Sequence, residues 1–215
     1  MKSALLLIDL QNDFCHGGAL AVAEGDETVN IANLAIAACR HANIKVVASQ
    51  DWHPADHRSF ALNSSAEPWT VGELEGLPQV WWPVHCVQNT PGADFHPQLN
   101  TAGLDYIVHK GQDAAIDSYS AFFDNGKRAA TALHPWLQRE QVEQLIVMGL
   151  ATDYCVKFSV LDALALGYEV TLLSDGCRGV NLQPDDSKRA IEEMQQAGAK
   201  VQNLSQLVSN LHFTL

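Results

Sequence analysis

Positive charge is scarce in this chain: 13 lysines and arginines stand against 25 aspartates and glutamates in 215 residues, a formal net charge of −12. A surface of that sign repels phosphate backbones and anionic bilayers, so neither nucleic acid nor membrane is expected as a partner. Long apolar runs are missing too. No stretch approaches the roughly 20 apolar residues of a membrane span. The run behind Met1-Lys2-Ser3 is cut short by Asp9, Asn12 and Asp13, which does not read as a signal peptide. The cysteines (Cys15, Cys39, Cys86, Cys155, Cys177) are odd in number and contain no CxxC pair. Reduced thiols in a cytoplasmic protein are therefore expected, and the question becomes which one is reactive. No internal repeat or break in composition divides the chain, so residues 1–215 read as one domain. At 47% apolar residues it has enough material for a full core.

What is present is a set of short Val/Ile/Leu runs, four of which lead to reactive side chains. Leu5-Leu6-Leu7-Ile8 ends at Asp9, and Ile44 to Ala48 ends just before Asp51 and His53. Tyr106-Ile107-Val108 leads through His109 to Lys110, and Leu145 to Met148 leads to Cys155. Such runs, separated by helical stretches, predict parallel strands buried on both faces. The C-terminal ends of such strands open on one edge of the sheet, where ligands bind. The pattern predicts a three-layer α/β/α, Rossmann-like fold with a six-stranded, mainly parallel sheet. Its strands are expected near 3–9, 44–49, 106–108, 144–149, 169–173 and 200–202. Helices are expected near 28–42 (capped by Thr28), 131–140, 154–166 and 184–198. Residues 51–103 interrupt this rhythm with six of the eight prolines and with Trp69, Trp81 and Trp82. A segment that long, irregular and aromatic reads as a lid and metal-bearing insertion.

Cys155 sits at a strand-to-helix junction, where free N–H groups and the helix dipole favour a thiolate and hold an oxyanion. A buried core cysteine would give the same local pattern. Asp9 is placed to take the thiol proton and return it to a leaving group, or simply to brace a loop. Lys110 is placed to hold Asp9 ionised and to lower the thiol pKa, or to be a solvated strand-end lysine. Asp51 and His53, two apart in extended chain, project the same way, and His85 from the insertion would close a metal site with open positions. His57 offers a further ligand; all of these histidines would equally serve packing. Phe14, Trp82 and Tyr119 are placed to sandwich a flat ring or to form the lid's own core.

Taken together these residues resemble the nicotinamidase family of isochorismatase-like cysteine hydrolases, over nearly the whole chain from Ala4 to about Val201. The segments that carry the resemblance are Leu7 to Phe14 (LIDLQNDF), Ser49 to Pro54 (SQDWHP), Trp82 to Val87 (WPVHCV), His109-Lys110-Gly111, and Gly149 to Val156 (GLATDYCV). It implies the isochorismatase-like fold and a Cys155–Asp9–Lys110 triad. It implies a cis peptide between Leu150 and Ala151, with the N–H groups of Ala151 and Cys155 as the oxyanion hole. It also implies one divalent metal on Asp51, His53 and His85, zinc first and iron or manganese otherwise, receiving the pyridine nitrogen. Phe14, Trp82, Tyr119 and Leu150 would surround the ring. The implied reaction is hydrolysis of nicotinamide to nicotinate and ammonia through a cysteine thioester, in NAD salvage, with pyrazinamide as a second substrate. A monomer or homodimer is expected. The rival expectation is another cysteine amidohydrolase of the superfamily, acting on a ureido or carbamoyl substrate. More distant is a non-catalytic metal- or redox-binding protein.

Overall fold

The computed structural model describes residues 1–213. Its strands are β1 (Lys2–Ile8), β2 (Lys45–Asp51), β3 (Val71–Leu74), β4 (Leu77–Val80), β5 (Tyr106–Lys110), β6 (Val142–Leu150), β7 (Glu169–Arg178) and β8 (Lys200–Gln202). Its α-helices are α1 (Gly25–His41), α2 (Leu133–Arg139), α3 (Lys157–Ala165), α4 (Asp186–Gln196) and α5 (Leu204–Asn210). Six strands form one sheet in the order β5-β2-β1-β6-β7-β8, with every neighbouring pair parallel. The central strand β1 is buried without alternation from Ala4 to Ile8. That is the mark of a sheet covered on both faces, here by helices that pack in groups, α1 with α5 and α3 with α4. The sheet and its helices form the six-stranded parallel α/β arrangement expected from the sequence.

The insertion folds around a two-stranded antiparallel hairpin, β3–β4. Its turn residues Glu75 and Gly76 both take positive φ, 54° and 80°, the geometry of a two-residue hairpin turn. Val80, Trp82, Cys86 and Leu99 carry the insertion into the same core as the sheet. Several boundaries differ from the sequence reading. Helix α1 begins at Gly25, so Thr28 lies inside it, where its Oγ1 donates to Gly25 O at 2.6 Å. Strand β2 continues to Asp51 and β7 to Arg178, which brings chemistry-bearing residues into the sheet itself. No described helix is long and apolar enough to cross a membrane.

Candidate active site

Asp9 follows β1 with φ 51°, in the left-handed region that aspartate enters more readily than most residues, and this ends the strand at the sheet edge. Lys110 ends β5 in register with Asp51 of β2. Its ammonium is buried, 2.7 Å from Asp51 Oδ1 and 2.9 Å from Asp9 Oδ2. It also donates to Ser118 O at 3.0 Å and lies 3.4 Å from Cys155 Sγ. Asp9 Oδ1 accepts from Ser49 Oγ at 2.6 Å. Asp9 Oδ2 is close to the ammonium but poorly aligned with it, and is left without a hydrogen-bond donor. The structure thus brings Asp9, Lys110 and Cys155 together around one buried carboxylate oxygen.

Burial decides the protonation states. It raises the Asp9 pKa above the ordinary aspartate value, Lys110 opposing and Asp51 adding to the rise. It pushes the Cys155 thiol well up, with Lys110 pulling it back and Asp9 adding to the rise. The expected thiolate is therefore replaced by a neutral thiol beside a carboxylate of raised basicity: desolvation outweighs the lysine and the helix terminus. For Lys110 burial works the other way, but Asp51 and Asp9 outweigh it and hold the ammonium protonated well beyond the usual range.

Beside this group, one ligand atom each of Asp51, His53 and His85 lies within 4.8 Å of the others. His53 Nδ1 lies 2.8 Å from Gly111 O, and His85 Nδ1 2.8 Å from Pro83 O. A carbonyl only accepts, so each ring carries a proton on Nδ1 and turns Nε2 inward. Burial lowers the His53 pKa but Asp51 outweighs it, and a cation would displace the proton that Asp51 favours there to leave two inward lone pairs. Those lone pairs lie 3.2 and 3.4 Å from Asp51 Oδ2, and His53 Nε2 is buried with no hydrogen-bond partner. Two lone pairs aimed at a carboxylate are a donor set for a cation, already oriented by backbone carbonyls. The residues fit a divalent metal ion.

His57 is not brought into that set. Ser59 N–H donates to its Nδ1 at 3.2 Å, with Ser59 Oγ 2.7 Å away, and its Nε2 faces Ile116 O at 3.2 Å. Both nitrogens are taken, and burial together with the charge of His53 pushes its pKa down to about 4. Leu150 is also corrected. It is fully buried in the core and does not line the cavity beside Cys155; it contributes the cis bond to Ala151. That cavity is walled by Phe14, Leu20, Trp82, Tyr119, Tyr154 and Val180, and Asp51, His85, Asp117, Ala151 and Cys155 open onto it. Ala151 precedes the π-helical turn Thr152–Val156 and Cys155 lies within it, the neighbouring Tyr154 and Val156 N–H groups both donating to Ala151 O at 3.1 Å.

Sequence reasoning missed several supporting residues. Ser49 holds Asp9. Gln11 clamps the backbone of Asp51, donating from Nε2 to its carbonyl at 2.7 Å and accepting its N–H at 2.8 Å. Asp13 accepts the Cys86 N–H at 2.7 Å and the Ala19 N–H at 3.2 Å, tying the first loop to the insertion. All three lay in segments the sequence singled out, Gln11 and Asp13 in Leu7 to Phe14 and Ser49 at the start of Ser49 to Pro54, but no role was assigned to them there.

Gly111 takes φ 68°, and a Cβ there would lie 2.5 Å from the His53 ring. Gly111→Ala is expected to displace His53 and weaken zinc binding by about 10–100-fold, the range for groups that orient metal ligands. Competition with a chromogenic chelator measures this, and an unchanged affinity would refute the proposed cradle.

The class of protein this defines is a hydrolase built on a Rossmann-like parallel sheet, with a thiol, a carboxylate and an ammonium gathered at the sheet's C-terminal edge. The isochorismatase domain model matches residues 3–206, and the chain belongs to that family. It is 59% identical to the nicotinamidase of Escherichia coli over 94% of this chain and 95% of that one. The yeast nicotinamidase bound to the inhibitor nicotinaldehyde superposes with a TM-score of 0.85 at 32% identity, covering 94% of this chain and 100% of that one. The pyrazinamidase of Pyrococcus horikoshii in complex with zinc gives 0.78 at 36% identity, covering 94% and 99%.

Proposed function

We propose that this chain hydrolyses nicotinamide to nicotinate and ammonia through a thioester on Cys155. The observation that carries this reading is the convergence of Lys110, Asp9 and Cys155 within 3.4 Å contacts, beside an inward-facing Asp-His-His donor set and an aromatic-walled cavity. The 59% identity to a nicotinamidase supports the choice of substrate. Pyrazinamide, with a ring of the same size, is the expected second substrate.

Cys155 passes its proton to Asp9 as its sulfur attacks the amide carbonyl carbon. The resulting oxyanion is taken by the N–H groups of Ala151 and Cys155. Asp9 returns the proton to the amide nitrogen, the C–N bond breaks, ammonia leaves and the acyl group stays on sulfur. Asp9 then takes a proton from water, whose oxygen attacks the thioester carbon and displaces the sulfur. Asp9 passes that proton back to Cys155, and the acid formed leaves as nicotinate after losing its remaining proton to solvent. Lys110 keeps Asp9 in reach of each proton and offsets the negative charge of the intermediates. Phe14, Trp82 and Tyr119 hold the ring between aromatic faces. A divalent cation held by Asp51, His53 and His85 supplies a Lewis acid for the ring nitrogen and so favours pyridine and pyrazine amides over benzamide.

Because Asp9 must be ionised to act as base, and burial raises its pKa, kcat/KM is expected to fall as pH drops through a value above the ordinary aspartate range. A pH–rate profile tests the sign: an acid limb confined to ordinary aspartate pH or lower would contradict it. The function itself is tested with a panel of nicotinamide, benzamide and a ureido amide, assayed for ammonia. Nicotinamide is expected to be turned over at least about 100-fold more efficiently than benzamide, the scale on which a lost polar contact in a built site is felt. Preference for the ureido compound would favour the rival amidohydrolase reading.

A further inference from the structure

Asp117 lines the catalytic cavity, is 3% exposed, and has no part in the chemistry described above. Its Oδ1 accepts the Ser118 N–H at 2.8 Å and its Oδ2 accepts Gln79 Nε2 at 2.9 Å. It forms no ion pair with a lysine or arginine. A ligand atom of Asp117 lies within 4.8 Å of nitrogens of His53 and His57, yet His57 is spent on Ser59 and Ile116. The buried centre therefore holds three carboxylates, Asp9, Asp51 and Asp117, against one ammonium, Lys110. The more exposed Asp13 is held separately by two backbone N–H groups. With His53 and His85 neutral, as ligands to a cation must be, three negative charges and one positive leave a formal deficit of two in a desolvated pocket, which a proton on His53 offsets only in part. Unpaired buried charge is costly, and a doubly charged cation beside His53 restores neutrality.

We infer that Asp117 is a positioning residue for the metal: a carboxylate that is not itself in the Asp51, His53 and His85 donor set but that makes this pocket take a dication. The inference rests on the metal site proposed above. Gln79 and the Ser118 N–H fix the carboxylate at the cavity wall, so its charge acts from a set place and does not swing in as a ligand. The asparagine variant keeps the shape, loses one charge and gives up one of the two hydrogen bonds, since its NH2 cannot accept from Gln79 or Ser118. The lost hydrogen bond costs the apo and loaded pockets alike, and the lost charge tells against the loaded one.

The test is zinc affinity by competition with a chromogenic chelator, together with thermal unfolding with and without zinc, for wild type, Asp117→Asn and Asp117→Glu. Asp117→Asn is expected to weaken zinc binding about 10–100-fold. Its zinc-free melting temperature is expected to fall less than the zinc-loaded one, so that the gain on adding zinc shrinks. Asp117→Glu, which restores the charge, is expected to recover part of the affinity. An Asp117→Asn protein with wild-type affinity, or one destabilised equally with and without zinc, would overturn the inference, since a purely structural aspartate gives that pattern. Wild-type protein that binds no zinc would overturn the metal site itself.

Discussion

Cys155→Ala is expected to lose turnover of nicotinamide by on the order of 10⁴-fold or more, the scale on which removal of a covalent nucleophile is felt, while the protein still folds and binds zinc. The sulfur makes the covalent bond to substrate, and of the described cysteines it is the one that opens onto the cavity. Cys177, beside β6, is buried and donates to Leu173 O at 3.3 Å, and Cys86 is buried with its sulfur 4.0 Å from Gly92 O. The substitution shrinks a side chain at the cavity wall, so the cost to stability is small. The variant should still bind nicotinamide, because the aromatic walls and the donor set are untouched. Equilibrium dialysis of nicotinamide beside the ammonia assay separates the two effects. Turnover within tenfold of wild type would remove Cys155 from the mechanism.

The second large effect is expected on stability. Lys110→Met removes the one ammonium that separates the Asp9 and Asp51 carboxylates, and all three groups are buried. Breaking such a pair leaves uncompensated buried charge, at a cost of about 3–5 kcal/mol. For a chain of this size that lowers the melting temperature by about 6–20 °C. Adding Asp9→Asn to Lys110→Met should restore part of the loss, because one of the two repelling charges is gone. Differential scanning fluorimetry of zinc-free protein measures both. A single variant that melts with the wild type, or a double variant no better than the single one, would show that the lysine is not the counter-ion of this centre.

The sequence showed much of this site because its strands advertise their ends. Leu5 to Ile8 and Leu145 to Met148 are too apolar to be anything but central strands, and the reactive residues follow within a few positions. Parallel topology then places Asp9, Asp51, Lys110 and the Cys155 turn on one edge. The hairpin β3–β4 stayed hidden because its strands are four residues long and half exposed; the Glu75-Gly76 turn was the available signal. Helix α5 also carried a signal, a reciprocal cap between Asn203 and Gln206. The protonation of Cys155 could not be read locally, since it depends on burial. Nor could Asp117, whose partners Gln79 and Ser118 reach it from the hairpin and from the next residue. His57 misled for the opposite reason: its spacing from His53 suits a ligand, but Ser59 two residues on occupies it.

The decisive assay measures ammonia and nicotinate in the same sample after zinc-loaded protein is mixed with nicotinamide. Equal amounts of both products, accumulating over many turnovers, are the expected result. Neither product appearing from fully zinc-loaded, folded protein would contradict the account and leave this site to a different amide.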